Sequence, residues 1–187
     1  MAEFPETLTD GELARRYLVG EEWAFEALVD RYMKPLFNFA YRYLGDQDEA
    51  ADIVQETFVR LYRNLKKLDL QQPLKPWLYR TARNLCLNRI PQRLRHQSME
   101  GDTILQMPDG AAGPDDQIDL HDLQASVQEA VRRLPPMYRD VVTLYYFAEL
   151  SVQEVAAILG LPEATVKTRL FRARERLKRW LSRLHET

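Results

Sequence analysis

The sequence predicts an all-α fold: two small helical domains joined by a flexible acidic linker, the C-terminal one containing a helix–turn–helix. Three observations predict it. First, capping boxes recur just ahead of apolar runs of helical period, at Thr9/Glu12, Asp46/Glu49 and Ser151/Glu154. Second, no run alternates apolar and polar residues as a half-buried strand would. Third, between Ser98 and Asp122 the composition turns acidic, with Glu100, Asp102, Asp109, Asp115, Asp116 and Asp119 and no Lys or Arg. Gly101, Pro108, Gly110, Gly113 and Pro114 interrupt regular structure there, so the stretch reads as a linker.

Each element follows in order. Thr9 and Glu12 open a short helix through Val19 that stops at Gly20. A longer helix is expected from Glu22 to Leu44, carrying Trp23, Phe25, Leu28, Val29, Tyr32, Leu36, Phe37, Ala40 and Tyr43 as an apolar load. Pro35 inside it should kink or split it. Asp46 starts a third helix to about Leu65, with Ala50, Ile53, Val54, Thr57, Phe58 and Leu61 toward the core. Lys66 to Lys75 is expected to be a loop. Pro76 suits a first helical position, and the helix from Trp77 should run to Ile90 and stop at Pro91. The domain boundaries expected are 1–95, a linker over 96–118, and 119–187. In the second domain Asp119 can cap a helix with Leu120, Leu123, Val127, Val131 and Leu134, and Pro135-Pro136 restarts the chain into a helix with Val141, Val142, Leu144, Tyr145 and Phe147.

The helix–turn–helix closes the chain. Ser151 caps a helix with Val152, Val155, Ala156 and Leu159 on one face, Gly160 ends it, and a second helix runs from Glu163 to about Leu184. Val166, Leu170, Ala173, Leu177, Leu181 and Leu184 form its apolar seam, while Lys167, Arg169, Arg172, Arg174, Arg176, Lys178, Arg179 and Arg183 surround it with positive charge. The start of such a helix enters the major groove, which makes Glu163, Thr165, Lys167, Thr168, Phe171 and Arg172 the groove-facing residues. Cations further along would meet phosphates, which position a protein without reading sequence.

The formal net charge of -2 would by itself argue against a nucleic-acid partner. Its distribution reverses that, because the acids of the linker mask two basic regions. One is the last helix. The other is Lys75, Arg80, Arg83, Arg89, Arg93 and Arg95, with no acid among them. Two basic patches on a tether point to two contacts on one polyanion. In the first patch, Trp77 offers a ring for an unpaired base or for the core, and Arg80, Arg83 and Asn84 share one helix face.

Other classes find little support. Cys86 is the lone cysteine, so no internal disulfide forms and a reducing compartment fits. No apolar run reaches the length of a membrane span, and the acidic start Met1 to Glu6 lacks signal-peptide features. His96, His121 and His185 are scattered, and no nucleophile triad or phosphate loop is visible, so no catalytic residue, metal or cofactor is expected. A self-sufficient DNA-binding regulator would leave the N-terminal half unexplained.

Three blocks together resemble bacterial sigma factors of the extracytoplasmic-function class. They are Phe25 to Val29 through Gly45 to Phe58, then Pro76 to Asn84, then Leu134-Pro135 through the helix–turn–helix to Arg174. The resemblance implies a sigma factor that binds core RNA polymerase, recognises minus-35 and minus-10 promoter elements and starts transcription without an active site of its own. It implies docking of Asp52, Gln55 and Glu56 on the β′ clamp helices, with the β flap as a further contact. It implies minus-10 contacts by Trp77, Arg80, Arg83 and Asn84, beside a loop at Lys66–Lys75 that takes up a flipped base. Minus-35 contacts fall to Thr165, Lys167, Thr168, Arg169, Phe171, Arg172 and Arg174. It further implies a cytoplasmic protein, without membrane insertion, held inactive by an anti-sigma factor. Fewer aromatics in the second block than in primary sigma factors imply weaker melting and stricter promoter choice.

Overall fold

A computed structural model of the chain describes residues 7–99 and 120–184. The Asp119 cap, most of the expected linker and His185 lie outside the described residues. No strand occurs among those described.

Helix α1 (Asp10–Leu18) starts at a complete capping box, with the Glu12 N–H donating to Thr9 Oγ1 and the Thr9 N–H donating to Glu12 Oε2. Helix α2 (Glu22–Leu44) runs unbroken through Pro35, contrary to the split its sequence allowed. The proline removes one backbone hydrogen bond. Leu28, Tyr32, Leu36, Phe39, Ala40 and Tyr43 nonetheless stay buried on one face across it, and that packing carries the helix through. Gly45 then ends α2 at φ 68, in the left-handed region where a side chain is disfavoured. Helix α3 (Gln47–Asn64) begins where Asp46 Oδ1 accepts the Glu49 N–H at 2.9 Å, and buries Ala50, Ile53, Val54, Thr57, Phe58 and Leu61. A 3-10 turn at Leu65–Lys67 opens the connection that follows.

Helix α4 (Leu74–Met99) corrects the expected bounds at both ends. It starts two residues before Pro76, because the first turn needs no N–H from that residue. It also passes Pro91 rather than stopping there, since a proline deletes one bond of the ladder and leaves the bonds on either side. The helix therefore crosses position 95, where the first domain was expected to end.

The second half holds α5 (Leu120–Arg132), α6 (Pro136–Val142), a π turn at Thr143–Phe147, α7 (Val152–Leu159) and α8 (Glu163–Leu184). Helices α5, α6 and α7 all pack on α8, as α1, α3 and α4 gather around α2 in the first half. The two halves touch: α4 packs on α7, and α2 on α5 and the π turn. One cluster of buried apolar residues runs from Leu13, Leu28 and Leu36 through Tyr79, Ala82 and Cys86 to Leu144, Leu150, Ile158 and Leu170. A smaller one gathers Val131, Leu134, Tyr138, Val142 and Ala173 beneath α8. No helix among the described residues is long and apolar enough to cross a membrane.

Candidate nucleic-acid interface

The helix–turn–helix forms as its residues dictate. The Glu154 N–H donates to Ser151 Oγ at 3.2 Å and the Ser151 N–H donates to Glu154 Oε2 at 2.8 Å, so two otherwise orphaned donors are satisfied. Gly160 turns the chain at φ 65. Pro162 stands just before α8, where its carbonyl accepts from the N–H groups of Thr165 and Val166 at 2.9 and 3.1 Å. Val166, Leu170 and Ala173 are buried, which fixes the rotation of α8 about its axis. That rotation leaves Lys167, Thr168, Phe171, Arg172 and Arg174 exposed, with Thr165 and Arg169 half-buried beside them. Lys167, Arg172 and Arg174 form no ion pair among the described residues. Phe171 is 62% exposed, a large apolar side chain presented to solvent on the same face. Further along, Arg176 is held over the Tyr138 ring at 5.1 Å, and Trp180 lies under Arg133 at 5.4 Å.

The first basic patch is arranged differently. Arg80 and Asn84 are exposed on α4, and Trp77 is half-buried against the core. Arg83, on the same stretch, turns into the contact between the two halves. Its guanidinium pairs with Asp140 of α6 at 2.5 Å, and the Tyr43 hydroxyl donates to the other carboxylate oxygen at 2.7 Å. Asp140 is 6% exposed. Burial disfavours the charge on Arg83, but the hydrogen bond and charge of Asp140 outweigh it and raise the guanidinium pKa. Burial first, and then the charge of Asp140, push the Tyr43 phenol well above its ordinary value. Two more contacts frame this one: Lys75 Nζ donates to the Glu149 carbonyl at 3.3 Å, and Arg42 sits over the Phe147 ring at 3.9 Å. Glu149 itself has φ 52, a left-handed conformation that costs a non-glycine residue about 1–2 kcal/mol. Cys86 lies beneath, and burial pushes its thiol up to about 12, leaving it un-ionised and inert at neutral pH.

The third set of residues is on α3. Asp52 and Gln55 are exposed and Glu56 is half-buried. Asp52 accepts from Arg89 of α4 at 3.1 Å, and Glu56 from Arg60 at 2.8 Å. Beside them an open groove of about 880 Å³ runs between α2 and α3, with Gln55 in its lining. Phe25, Val29, Met33, Phe37, Phe58 and Tyr62 form its apolar walls. Met33 is 48% and Tyr62 58% exposed. Phe25, Val29 and Phe37 belong to the apolar load that the sequence puts on α2, and they line this groove. The available signal was that α2 carries more large apolar residues than one buried face can hold. The contact of Tyr43 and Arg83 with Asp140 had no local signal, because the partners are remote in sequence.

Known proteins resemble the chain along most of its length. The family model for sigma-70 region 2 matches residues 28–96, and that for sigma-70 region 4 matches residues 124–177. The chain is 37% identical over 171 residues to the ECF RNA polymerase sigma factor SigW of Bacillus subtilis, covering 87% of this chain and 91% of that one. It is 34% identical over 178 residues to the ECF RNA polymerase sigma-E factor of Escherichia coli, covering 91% and 93%. Among solved structures it resembles CnrH in complex with the cytosolic domain of CnrY, with a TM-score of 0.70 at 26% identity over 92% of this chain and 97% of the other. The sigma factor RpoE in complex with the anti-sigma factor NepR from Bartonella quintana superposes with a TM-score of 0.69 at 28% identity, covering 84% and 96%.

Proposed function

The chain belongs to the sigma-70 family as an RNA polymerase sigma factor of the extracytoplasmic-function class, and from that premise we propose which of its residues do which part of the work. As a sigma factor it binds core RNA polymerase, recognises the minus-35 and minus-10 elements and starts promoter-specific transcription. Residues 1–95 serve as the region 2 unit, 96–118 as the linker and 119–187 as the region 4 unit, with α4 continuing to Met99 from the first into the second.

The observation that carries the assignment is the exposed face of α8, where Lys167, Arg172 and Arg174 have no ion-pair partner in the described chain. Cations left unspent on a rigid helix suit a polyanion, since each phosphate they neutralise releases counterions. Thr165, Lys167, Thr168, Phe171 and Arg172 enter the major groove of the minus-35 element, with Arg169 and Arg174 toward the phosphates. Trp77, Arg80, Arg83 and Asn84 engage the melted minus-10 element, beside a Lys66–Lys75 connection that takes up an extruded base. That extrusion costs a few kcal/mol, so a prebuilt seat must offset it.

Gln55 lines the apolar groove of α2 and α3, Asp52 and Glu56 stand on the same helix, and this combination suits helices of the polymerase clamp that are basic at the edge and apolar at the centre. The β flap is the further polymerase contact, on the region 4 unit. An anti-sigma factor is the natural inhibitor, as RpoE is seen with NepR. The protein works in the cytoplasm beside polymerase, as a binding subunit that lends no catalytic group. In vitro transcription with purified core polymerase on fragments of the source genome, with start sites mapped, tests the reading. Discrete starts that require this chain are expected; tight DNA binding without any polymerase-dependent start would overturn it.

A further inference from the structure

The contact between the two halves has a consequence for promoter binding. Elements named by their distances upstream of the start lie about 25 base pairs apart, or about 85 Å of duplex at 3.4 Å per base pair. In this structure α4 packs on α7 and α7 packs on α8. Two helix-packing distances of about 8–10 Å each therefore separate the helices assigned to the two elements. The groove-facing residues of α8 lie in its first turns, beside α7. The observed arrangement can therefore engage one element or the other, and not both on one promoter. The chain between Met99 and Leu120, about 20 residues, spans at most about 70 Å when extended, enough with the breadth of the two units to bridge the gap.

We propose that Tyr43, Asp140 and Arg83 form a latch that holds the free chain closed, and that loading onto polymerase and promoter must break it. The proposal takes its DNA geometry from the sigma-factor reading, whereas the latch itself belongs to the free chain. Three features support it. The latch joins α2, α4 and α6, so it closes only when the halves meet. Asp140 supplies to Arg83 an anionic oxygen like that of a phosphate, and so withholds from the minus-10 element one of its four assigned side chains. The closure is also incomplete: Arg83 Nε is buried without a hydrogen-bond partner among the described residues. A buried pair with an unsatisfied donor recovers little beyond its desolvation cost. That suits a contact made to be released. Lys75 to the Glu149 carbonyl and Arg42 over Phe147 are secondary ties of the same closure.

The test is an energy-transfer measurement on the full chain labelled at Val19→Cys and Ser182→Cys, two exposed sites in different halves. Cys86 is retained, because burial keeps its thiol from labelling. The free wild type is expected at short separation, moving to long separation when core polymerase and promoter DNA are added. Asp140→Asn should raise the open-to-closed ratio of the free chain about 10- to 100-fold, the size of one charge-assisted hydrogen bond. Tyr43→Phe should raise it about fivefold. The latch is refuted if the free wild type already sits at long separation, or if Asp140→Asn and Tyr43→Phe both keep the wild-type distribution while circular dichroism shows them folded. Should Asp140→Asn fail to fold, Tyr43→Phe decides alone. A complex that initiates transcription while the labels stay close would also refute it. Failure of the wild type to initiate at all would instead sink the sigma-factor reading and leave the distance result standing.

Discussion

The basic helices α4 and α8 carry similar charge and put it to different use. On α8, Lys167, Arg172 and Arg174 point outward from a buried seam and stay unpaired in the described chain. On α4, Arg83 is committed to Asp140 and Arg89 to Asp52, while Arg80 and Asn84 remain exposed. A cation count would rate the two helices alike. What separates them is the neighbour each cation faces: those of α8 point away from the helices packed on it, and Arg83 of α4 lies where the two units meet. The lesson is that positive charge marks a nucleic-acid surface only after the charges already spent within the protein are subtracted.

The largest expected effect separates the two units by partner. Asp52→Arg with Glu56→Arg should abolish pull-down of core polymerase, and leave duplex binding by α8 intact. Retained binding to core would move the docking face elsewhere. Next, Leu170→Ala removes a side chain that is 2% exposed beneath α8, and should cost about 2–5 kcal/mol of stability. Because Leu170 belongs to the apolar cluster that also holds Leu28 and Leu36, the denaturation curve sharpens the comparison. A single shifted transition means the halves unfold together; two transitions mean that only the α8 unit is weakened. Third, Arg172→Ala should weaken minus-35 binding by about 1–3 kcal/mol if the guanidinium reads a base edge. Loss of equal size on every duplex sequence would reassign it to a phosphate. Binding isotherms on matched and scrambled duplexes distinguish these. The smallest effect is expected from Ser151→Ala, which deletes the cap of α7 and should cost about 1 kcal/mol in thermal unfolding with no change in sequence preference.

Much of the fold was legible in advance because its signals are local. Thr9, Asp46 and Ser151 cap helices through residues three positions away, and Gly45 and Gly160 end them with positive φ. The exposed basic face of α8 was legible for the same reason: a single buried seam of Val166, Leu170 and Ala173 determines which cations face out. The split allowed at Pro35 and the stop expected at Pro91 do not occur, since propensity at one residue leaves out the packing and the ladder on either side. The groove was hidden in plain sight, as apolar residues that pattern assigns to a core can equally line an open surface.

Sequence alone determined the all-α class, the helix–turn–helix, the two basic regions and the family resemblance, since each is built from patterns contained within short stretches of the chain. Only the tertiary structure decided which charges are spent and which apolar residues remain uncovered. Tyr43 and Arg83 meet Asp140 from elements distant in the chain. Phe25 of α2 and Tyr62 of α3 meet edge to face, with ring centroids 5.9 Å apart, in the wall of an open groove. Neither arrangement leaves a periodicity to read, because contacts between distant elements are made by the packing of whole helices and not by the spacing within one.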